Sequence, residues 1–210
     1  MINTSGKKQL LSLNADSPHL AQLLQFAVSQ GASNAKLIAA ADILVEDKLA
    51  ALCVPPGCPN YGLSPSCPPH VSGPAGFREL RQKMPLAVVI RLVVPLAALL
   101  SIEKRDITKF LHTLAAAVET HAINMGYTSS KAFAAGSCKS TFCHDYPECQ
   151  SLSGGSCRHR EYARPSMSGF GINVPDLMKK CAWSADFSDK EASLTEKSMS
   201  WLAGLVLIGM

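Results

Sequence analysis

Residues 53–70 read CVPPGCPNYGLSPSCPPH and contain three cysteines in a stretch too rich in proline and glycine to form a helix or a strand. Two of these cysteines, Cys58 and Cys67, are followed directly by proline, which fixes its own φ and restricts the residue before it. A compact domain rarely carries so long an irregular segment unless the segment has a function. The stretch therefore predicts a loop that is ordered by something other than its own packing.

A second segment, residues 136–170, also reads as a loop and contains four more cysteines. These are Cys138, Cys143, Cys149 and Cys157. The eighth cysteine of the chain, Cys181, stands alone in a predicted helix. Bonds to a metal centre can order such segments, because they replace the core contacts that the segments lack.

The sequence around the two segments predicts an α+β scaffold. Apolar residues at helical spacing predict helices near residues 17–31, 47–52, 75–83, 102–125 and 173–182. Apolar runs predict strands at 86–94, 131–135 and 200–208, and a short strand or a kinked pair within 36–45. We expect a single metal-binding domain over residues 1–210, with a small mixed sheet packed with helices and two long cysteine-rich metal-binding loops, at about 53–76 and 136–170.

The composition excludes several classes of protein. Hydrophobic residues make up 47% of the 210 residues and charged residues 17%, which supports a sizeable core and argues against general disorder. The net charge is only +4, and no long run of Lys and Arg is interleaved with aromatic residues, so we expect no nucleic-acid partner.

The most apolar run, residues 84–100, reads as a buried strand. Arg91 lies in its middle, Pro85 and Pro95 interrupt it, and it is short for a membrane span, so we expect no membrane association. Residues 1–20 have no apolar stretch of the length that an export signal needs. We therefore expect a cytoplasmic protein.

In a reducing cytoplasm, clustered cysteines are more often metal ligands or redox-active groups than disulfides. Structural zinc sites usually bring cysteines in C-x2-C pairs, and no such pair occurs here, although zinc stays an alternative. Iron–sulfur clusters tolerate wider spacings, including C-x4-C, and Cys-Pro recurs beside their ligands. The spacing favours one or two [4Fe–4S] clusters, with redox-switch thiols or disulfides as the remaining possibility.

The number of thiols differs between the two segments. The second segment has enough for one four-iron cluster, whereas the first has three. His70, Cys181 or a small molecule could supply the fourth ligand of the first centre, and an iron left open would bind substrate. His144 and His159 follow the second segment's cysteines closely and are second-choice ligands.

A basic stretch, RHREYARPSM, follows Cys157 at residues 158–167. Guanidinium groups near a cluster would favour its reduced, more negative state, and could equally bind an anionic substrate or an acidic patch of a partner protein. We therefore name Arg158 and Arg164 as candidate cofactor-binding residues.

Several motifs follow one another in a specific order: C-x4-C-P-x-Y-G-x4-C-P-P-H at 53–70, GSC at 136–138, CRH at 157–159 and ARPSMSGFGINV at 163–174. Together they resemble a prokaryotic family of unknown function that is described as predicted metal-binding proteins, from about residue 20 to 208. The resemblance implies metal binding through these cysteines: Cys53, Cys58, Cys67, Cys138, Cys143, Cys149 and Cys157. It implies no reaction, and Cys181 falls outside the motifs.

The sequence thus favours an iron–sulfur protein that acts in electron transfer or as a redox accessory, with a redox partner protein or a small molecule as its counterpart. A zinc-binding interaction module without catalysis is the alternative, and an enzyme that binds substrate at an open cluster iron is a further one. No motif indicates a catalytic residue, and no feature of the sequence indicates an oligomeric state.

Overall fold

The computed structural model describes residues 17–183 and 198–210. Residues 1–16, on which the expectation about export largely rests, lie outside the described residues. The described strands are β1 (Asn34–Ala39), β2 (Leu86–Pro95), β3 (Lys131–Phe133) and β4 (Met199–Ile208). The described helices are α1 (Pro18–Ser29), α2 (Asp47–Ala51), α3 (Gly73–Lys83), α4 (Leu96–Leu99), α5 (Lys104–Asn124), α6 (Cys138–Phe142) and α7 (Val174–Lys180). Two 3₁₀ turns span Ala40–Asp42 and Met167–Phe170.

The four strands form one sheet in the order β1-β2-β4-β3, which confirms the α+β class. The expectation of a mixed sheet is wrong, because every pair of neighbouring strands in this sheet is antiparallel. The strands β2 and β3 do run in the same direction, as their connection through α5 would suggest. However, β4 lies between them and pairs antiparallel with both.

Both faces of the sheet are covered, which explains why β2 reads as a continuous apolar run. Val88, Ile90 and Leu92 pack on one face with residues of α1 and α5. Ala87 and Val89 pack on the other face with residues of α3, α7 and the Met167–Phe170 turn. A strand buried on both faces loses the alternation of apolar and polar residues that a half-exposed strand shows. In the part of the chain that the structure describes, no helix is both long and apolar enough to cross a membrane.

The predicted helices are all present, with ends that differ by a few residues from the predictions. The long helix α5 packs one apolar face on the sheet, and Gly126, with φ at +102°, follows its end. A left-handed φ of this kind favours glycine, which has no side chain to clash with the turn. This helix carries two residues, His112 and Glu119, that contact the second cysteine segment.

The two cysteine segments differ in structure. Residues 52–72 form consecutive turns between α2 and α3, with no helix or strand. Residues 136–170, which read as a loop in the sequence, contain the short helix α6 and the Met167–Phe170 turn. A helix of five residues is too short to show a helical period in its sequence, so the pattern could not reveal α6.

Candidate metal centre

The four cysteines of the second segment line one cavity of about 190 Å³. They come from α6 and from the turns that follow it: Cys138, Cys143, Cys149 and Cys157. Pro65 and Ser66 of the first cysteine segment form another part of the lining. Since one water molecule needs only about 10–15 Å³ of such space, the cavity has room for a group much larger than a single ion or water.

Helix α6 positions two of these thiols. Cys138 is its first residue and Cys143 follows its last, while the hydroxyl of Ser137 accepts a hydrogen bond from the Lys139 backbone N–H at the start of the helix. The Lys139 ammonium then donates to the carbonyl oxygens of Cys143, at 2.8 Å, and Tyr146, at 2.6 Å. This lysine side chain therefore folds the turn after Cys143 back against the helix.

The surroundings of Cys157 are polar on one side and aromatic on the other. The backbone N–H of His159 donates to the Cys157 sulfur at 3.4 Å. The His159 ring stacks on Phe142, with the ring centres 5.1 Å apart. Arg158 lines the cavity and lies 4.1 Å from the centre of the Tyr146 ring, in a cation–π contact that orients its guanidinium. Arg158 therefore lies beside the four thiols, and its role toward a cofactor stays a prediction.

The first segment is a compact series of turns that its own backbone holds together. Cys67 N–H donates to the Ser64 carbonyl at 3.2 Å, and His70 N–H donates to the Cys67 carbonyl at 3.0 Å. Gly62 N–H donates to the Pro68 carbonyl at 2.8 Å and closes the loop between them. The segment thereby keeps its cysteines together, with Cys67 buried and the other two half-buried.

The thiols of the first segment influence one another electrostatically. Burial raises the pKa of the Cys53 thiol, and the neighbouring thiols of Cys58 and Cys67 raise it further. Mutual repulsion of this kind occurs only between groups that lie near each other. A bound cation would relieve it, because it stabilises several thiolates at once.

The second segment shows the same repulsion together with compensating cations. Burial raises the pKa of the Cys143 thiol, and Cys157 and Cys149 add to that effect. Arg158 and Lys139 oppose it. The cavity therefore combines several thiols with positive charge beside them, which is the environment that a negatively charged thiolate-bound centre requires.

Cys138 connects the two segments. Burial raises the pKa of its thiol, the hydroxyls of Ser66 and Ser64 oppose this, and the thiols of Cys67 and Cys157 raise it again. One of these thiols belongs to the first segment and the other to the second. The two sets of cysteines therefore meet at Cys138.

Residues 163–167, the ARPSM motif, hold the segments against the sheet. Ser166 N–H donates to the Ser66 carbonyl at 3.1 Å, which attaches the first segment to the motif. Ala134, just beyond β3, donates to the Pro165 carbonyl at 2.9 Å and accepts from Met167 N–H at 3.0 Å. Following the motif, Gly169 packs so closely on the first segment that a Cβ atom there would lie 2.9 Å from Pro68 Cδ.

Arg164 has a different position from that of Arg158. Its guanidinium forms an ion pair with Glu119 of α5, with Nη2 at 2.6 Å and Nε at 2.7 Å from Oε2. The other oxygen of Glu119 accepts from the Ala132 backbone N–H of β3 at 2.6 Å. Arg164 thus fastens the ARPSM motif to the scaffold, and it is not among the residues that line the cavity.

The candidate fourth ligands lie in separate places. Cys181 is buried in the core on the α3 and α7 side of the sheet, and its carbonyl accepts from the Lys36 ammonium at 3.0 Å. Burial raises the pKa of its thiol to about 11, and the charged groups that oppose this are Lys36 and Arg91. His70 lies at the end of the first segment, with Nε2 3.3 Å from the Gly62 carbonyl. His144 is exposed and pairs with Asp145 at 2.8 Å.

The residues around the cavity have the chemistry of a thiolate-bound metal site. Within residues 17–183 and 198–210, no three His, Cys, Asp or Glu side chains have the spacing to hold one metal ion. Four thiols nevertheless surround one cavity, and soft thiolates suit iron–sulfur clusters as well as zinc. Backbone N–H groups and hydroxyls beside the sulfurs are the second set of contacts that such centres use.

Several residues that build the site carry no recognisable signal in the sequence. Glu119 and His112 lie on a long helix and read as ordinary helix residues. Ser66 and Lys139 flank cysteines and Ser64 lies three residues before Cys67, but nothing in a single sequence separates them from other loop residues. For Ser64, Ser66 and Lys139, the one available signal was their proximity to the motifs.

Comparison with known proteins gave one match. A sequence model of a protein family, described as "Predicted metal-binding protein (DUF2284)", matches residues 36–208. No match was found among curated proteins or among solved structures. The matched range contains both cysteine segments, the ARPSM motif and all of β2, β3 and β4.

Proposed function

Because the chain belongs to the DUF2284 family of predicted metal-binding proteins, we propose that it is an iron–sulfur protein that transfers electrons or assists a redox enzyme. Its two cysteine segments would bind one or two [4Fe–4S] clusters in the cytoplasm. Its counterpart would be a redox partner protein or a small redox-active molecule.

The observation that carries this proposal is the cavity lined by four thiols. Cys138, Cys143, Cys149 and Cys157 supply the four thiolates that a cubane needs, and all four lie around one space of about 190 Å³. A single zinc ion, with Zn–S bonds of about 2.3 Å, would draw its sulfurs to within roughly 3.8 Å of each other. Thiols that surround a space without closing on one point support the larger centre.

The residues around the cavity each have a role toward such a centre. When bound, a cluster supplies one-electron redox chemistry. The Arg158 guanidinium favours the more negative, reduced state, and the His159 N–H adds a hydrogen bond to the Cys157 sulfur. Phe142 is an apolar part of the lining, and apolar surroundings limit solvent access to such a site.

The proximity of the two cysteine sets supports a second centre close to the first. Cys67 lies near enough to Cys138 to raise the pKa of its thiol. A centre on the first segment would therefore be a close neighbour of the one in the cavity. Electrons that enter at one segment would leave through the other.

An open coordination position on the first segment is a second candidate function, in which the protein is an enzyme that binds substrate there. The position of Cys181 favours this candidate. It lies in the core beside Lys36 and Arg91, whereas the first segment's own thiols are Cys53, Cys58 and Cys67. Three thiols would leave one iron of a cubane free for an external ligand.

Metal and sulfide analysis tests the main proposal. Protein purified without oxygen should be brown, absorb at about 400 nm through thiolate-to-iron charge transfer, and contain iron and acid-labile sulfide. Colourless protein with one or two zinc ions per chain would reject it and favour a zinc-stabilised binding module.

Two substitutions test the open position. We expect C181A and H70A to retain the iron and sulfide content of the wild type, because neither residue binds metal if the coordination position is open. C67A is the positive control and should lose metal from the first segment. If C181A or H70A loses as much metal as C67A does, that residue completes the first centre and the open position is absent.

A further inference from the structure

A second cavity, of about 390 Å³, lies between the N-terminal part of α5 and α6. Of the residues of α6, Ser140 and Thr141 line it. The other three, Cys138, Lys139 and Phe142, line the cysteine cavity. The two cavities have no lining residue in common, so α6 forms a wall between them. We call the second one the α5–α6 cavity.

The α5–α6 cavity also borders the first cysteine segment. Asn60, which lies two residues after Cys58, forms part of its lining. Arg105 and Thr108 line it from α5, and a Cβ atom at Gly136 would lie 3.2 Å from Thr108 Cγ2. The chain at Gly136 therefore packs directly on α5. The cavity has the long helix on one side and parts of both cysteine segments on the other.

Two cations line the α5–α6 cavity, and neither has a carboxylate partner. They are Lys104 and Arg105, and none of the described residues in the lining is acidic. Glu103 and Asp106, their neighbours in the chain, do not line the cavity. Among residues 17–183 and 198–210, neither cation forms an ion pair. Positive charge on the wall of a cavity raises the local concentration of anions, so we expect an anionic ligand.

Five hydroxyl groups line the same cavity, and two of them have a free proton. The hydroxyls of Ser101, Thr108 and Ser140 each donate to a backbone carbonyl. The Ser137 hydroxyl accepts one backbone hydrogen bond but donates to none of the described residues. The Thr141 hydroxyl forms no hydrogen bond with any of them. Ser137 and Thr141 are both only 5% exposed, and buried hydroxyls normally have a partner, so these protons call for an acceptor inside the cavity.

A phosphate group matches these donors and charges. A phosphate monoester has a charge of about −1.5 to −2 at pH 7 and three strong acceptor oxygens. Lys104 and Arg105 supply two positive charges, and Ser137 and Thr141 supply two neutral donors. A carboxylate, with one charge and two oxygens, would leave some of these groups without a partner. The volume of about 390 Å³ lies within the range of roughly 300–1,000 Å³ for small-molecule sites, so an organic group can accompany the phosphate.

We infer that the α5–α6 cavity binds a small organic phosphate, whose phosphate group contacts Lys104, Arg105, Ser137 and Thr141. This inference goes beyond the proposed iron–sulfur function and rests on the geometry of a separate site. The bound molecule contacts the first cysteine segment at Asn60 and the second segment through α6. It thus gives the protein a ligand that lies beside both cysteine segments without occupying the cysteine cavity.

Isothermal titration calorimetry of the full chain, as purified, tests the inference with two compounds that differ in the phosphate group, glycerol 3-phosphate and glycerol. We expect saturable binding of glycerol 3-phosphate, competition by inorganic phosphate, and no binding of glycerol. Lactate, a three-carbon carboxylate, should bind at least about tenfold more weakly than glycerol 3-phosphate, because it has fewer charges and acceptors. No saturable binding of glycerol 3-phosphate, or equal binding of lactate, would overturn the inference.

Substitutions in the lining test which groups hold the phosphate. R105Q removes a charge, and T141V removes a hydroxyl while keeping the shape of the side chain. Each should weaken binding of glycerol 3-phosphate about tenfold or more, as expected for a lost hydrogen bond to a charged group. T141S keeps the hydroxyl and should retain the affinity of wild type, and equal affinities of T141V and T141S would contradict the assigned contact. Arg105 is only half-buried, so R105Q decides the matter if T141V does not fold.

K109A is the matched control for charge. Lys109 is an exposed cation of α5 that does not line the cavity, so K109A lowers the net charge by the same amount as R105Q does. The affinity of K109A for glycerol 3-phosphate should equal that of wild type. A loss in K109A as large as that in R105Q would show that the ligand responds to overall charge, and would overturn the assignment of this site.

Failure of the proposed function gives a different result from failure of this inference. Protein that contains zinc without iron or sulfide, yet binds glycerol 3-phosphate, rejects the iron–sulfur proposal alone. Protein that contains iron and sulfide but shows no saturable binding of glycerol 3-phosphate overturns this inference alone.

Discussion

His112 is a titratable residue in a fully buried position. Its exposure is 0%, its Nδ1 atom accepts the Arg164 backbone N–H at 3.1 Å, and its ring meets Phe142 edge-on at 5.4 Å. Burial lowers the pKa of His112 from 6.5 to about 4, with the Ala135 backbone opposing the shift and the Arg164 cation adding to it. The His112 ring is therefore neutral in the folded protein, and protonation of this ring favours the unfolded chain.

This shift predicts a pH dependence of stability. The folded pKa is below the unfolded one, so the unfolded chain binds the extra proton first as pH falls below 6.5. The contribution of His112 to the free energy of unfolding should be complete above pH 6.5 and decline until about pH 4, by up to about 3 kcal/mol in total. Urea denaturation at several pH values measures this decline.

The matched variant for this measurement is H112N, whose side-chain oxygen can still accept the Arg164 N–H but cannot titrate. Its free energy of unfolding should change less than that of wild type between pH 6.5 and 4. Parallel curves for the two proteins over that range would contradict the assigned role of the ring.

At the scale of elements, a single carboxylate joins α5, β3 and the ARPSM motif. One oxygen of Glu119 accepts from Ala132 of β3 and the other from Arg164 of the motif. The Arg164 and Glu119 side chains are only 12% and 13% exposed, so the charges are poorly solvated and depend on each other. The metal-binding segments are therefore attached to the scaffold through an ion pair as well as through backbone hydrogen bonds.

Breaking this ion pair should destabilise the protein. R164A would leave the Glu119 carboxylate poorly solvated and without its cation. We expect the free energy of unfolding to fall by about 2–4 kcal/mol, between the values for exposed and fully buried ion pairs. R164A/E119Q should recover part of the loss, because glutamine keeps an acceptor for Ala132 but carries no charge. K48A removes an exposed pair with Glu46 and serves as a control with no measurable effect.

Gly169 provides a steric test of how closely the ARPSM region supports the first segment. A Cβ atom at this position would lie 2.9 Å from Pro68 Cδ and 3.1 Å from Val71 Cγ2, so G169A must displace the segment next to Cys67. We expect the free energy of unfolding to fall by about 1–3 kcal/mol, as at other overpacked sites, and the metal content to be lower. S168A, at the exposed neighbouring position, should match wild type in both measurements, and normal metal content in G169A would argue against this support.

At the scale of the whole molecule, a scaffold with a packed core carries the two cysteine segments. The sheet is covered on both faces, whereas residues 52–72 form turns with little apolar packing of their own. Regions with few buried contacts open at lower free energy than the core does.

Removal of the metal should therefore loosen the segments and leave the sheet intact. Limited proteolysis of chelator-treated protein should cut first within residues 53–70 and 143–160, and hydrogen exchange of β2 and β4 should stay slow. Cleavage that begins in the sheet, or a global loss of protection, would show that metal and core form one cooperative unit.

How much of this could be read from the sequence depends on the kind of signal. The long helices and the apolar strands β2 and β4 were predictable, because periodicity and continuous apolar runs report burial directly. The antiparallel arrangement was not, since the position of β4 between β2 and β3 depends on contacts distant in the chain. Likewise, seven cysteines could be named as candidate ligands, and that assignment stays a prediction, but Arg158 and Arg164 looked equivalent until the partner of each was known.

The position of β4 has a consequence for synthesis on the ribosome. This strand forms the centre of the sheet, yet its residues, Met199–Ile208, are translated after those of every other described element. Until they emerge, β2 and β3 present unpaired edges, which are sites for aggregation or for binding by chaperones. The nascent chain can thus complete its sheet only after residue 208 has been translated, and a ribosome that stalls earlier would release a product in which β2 and β3 lack their shared partner strand.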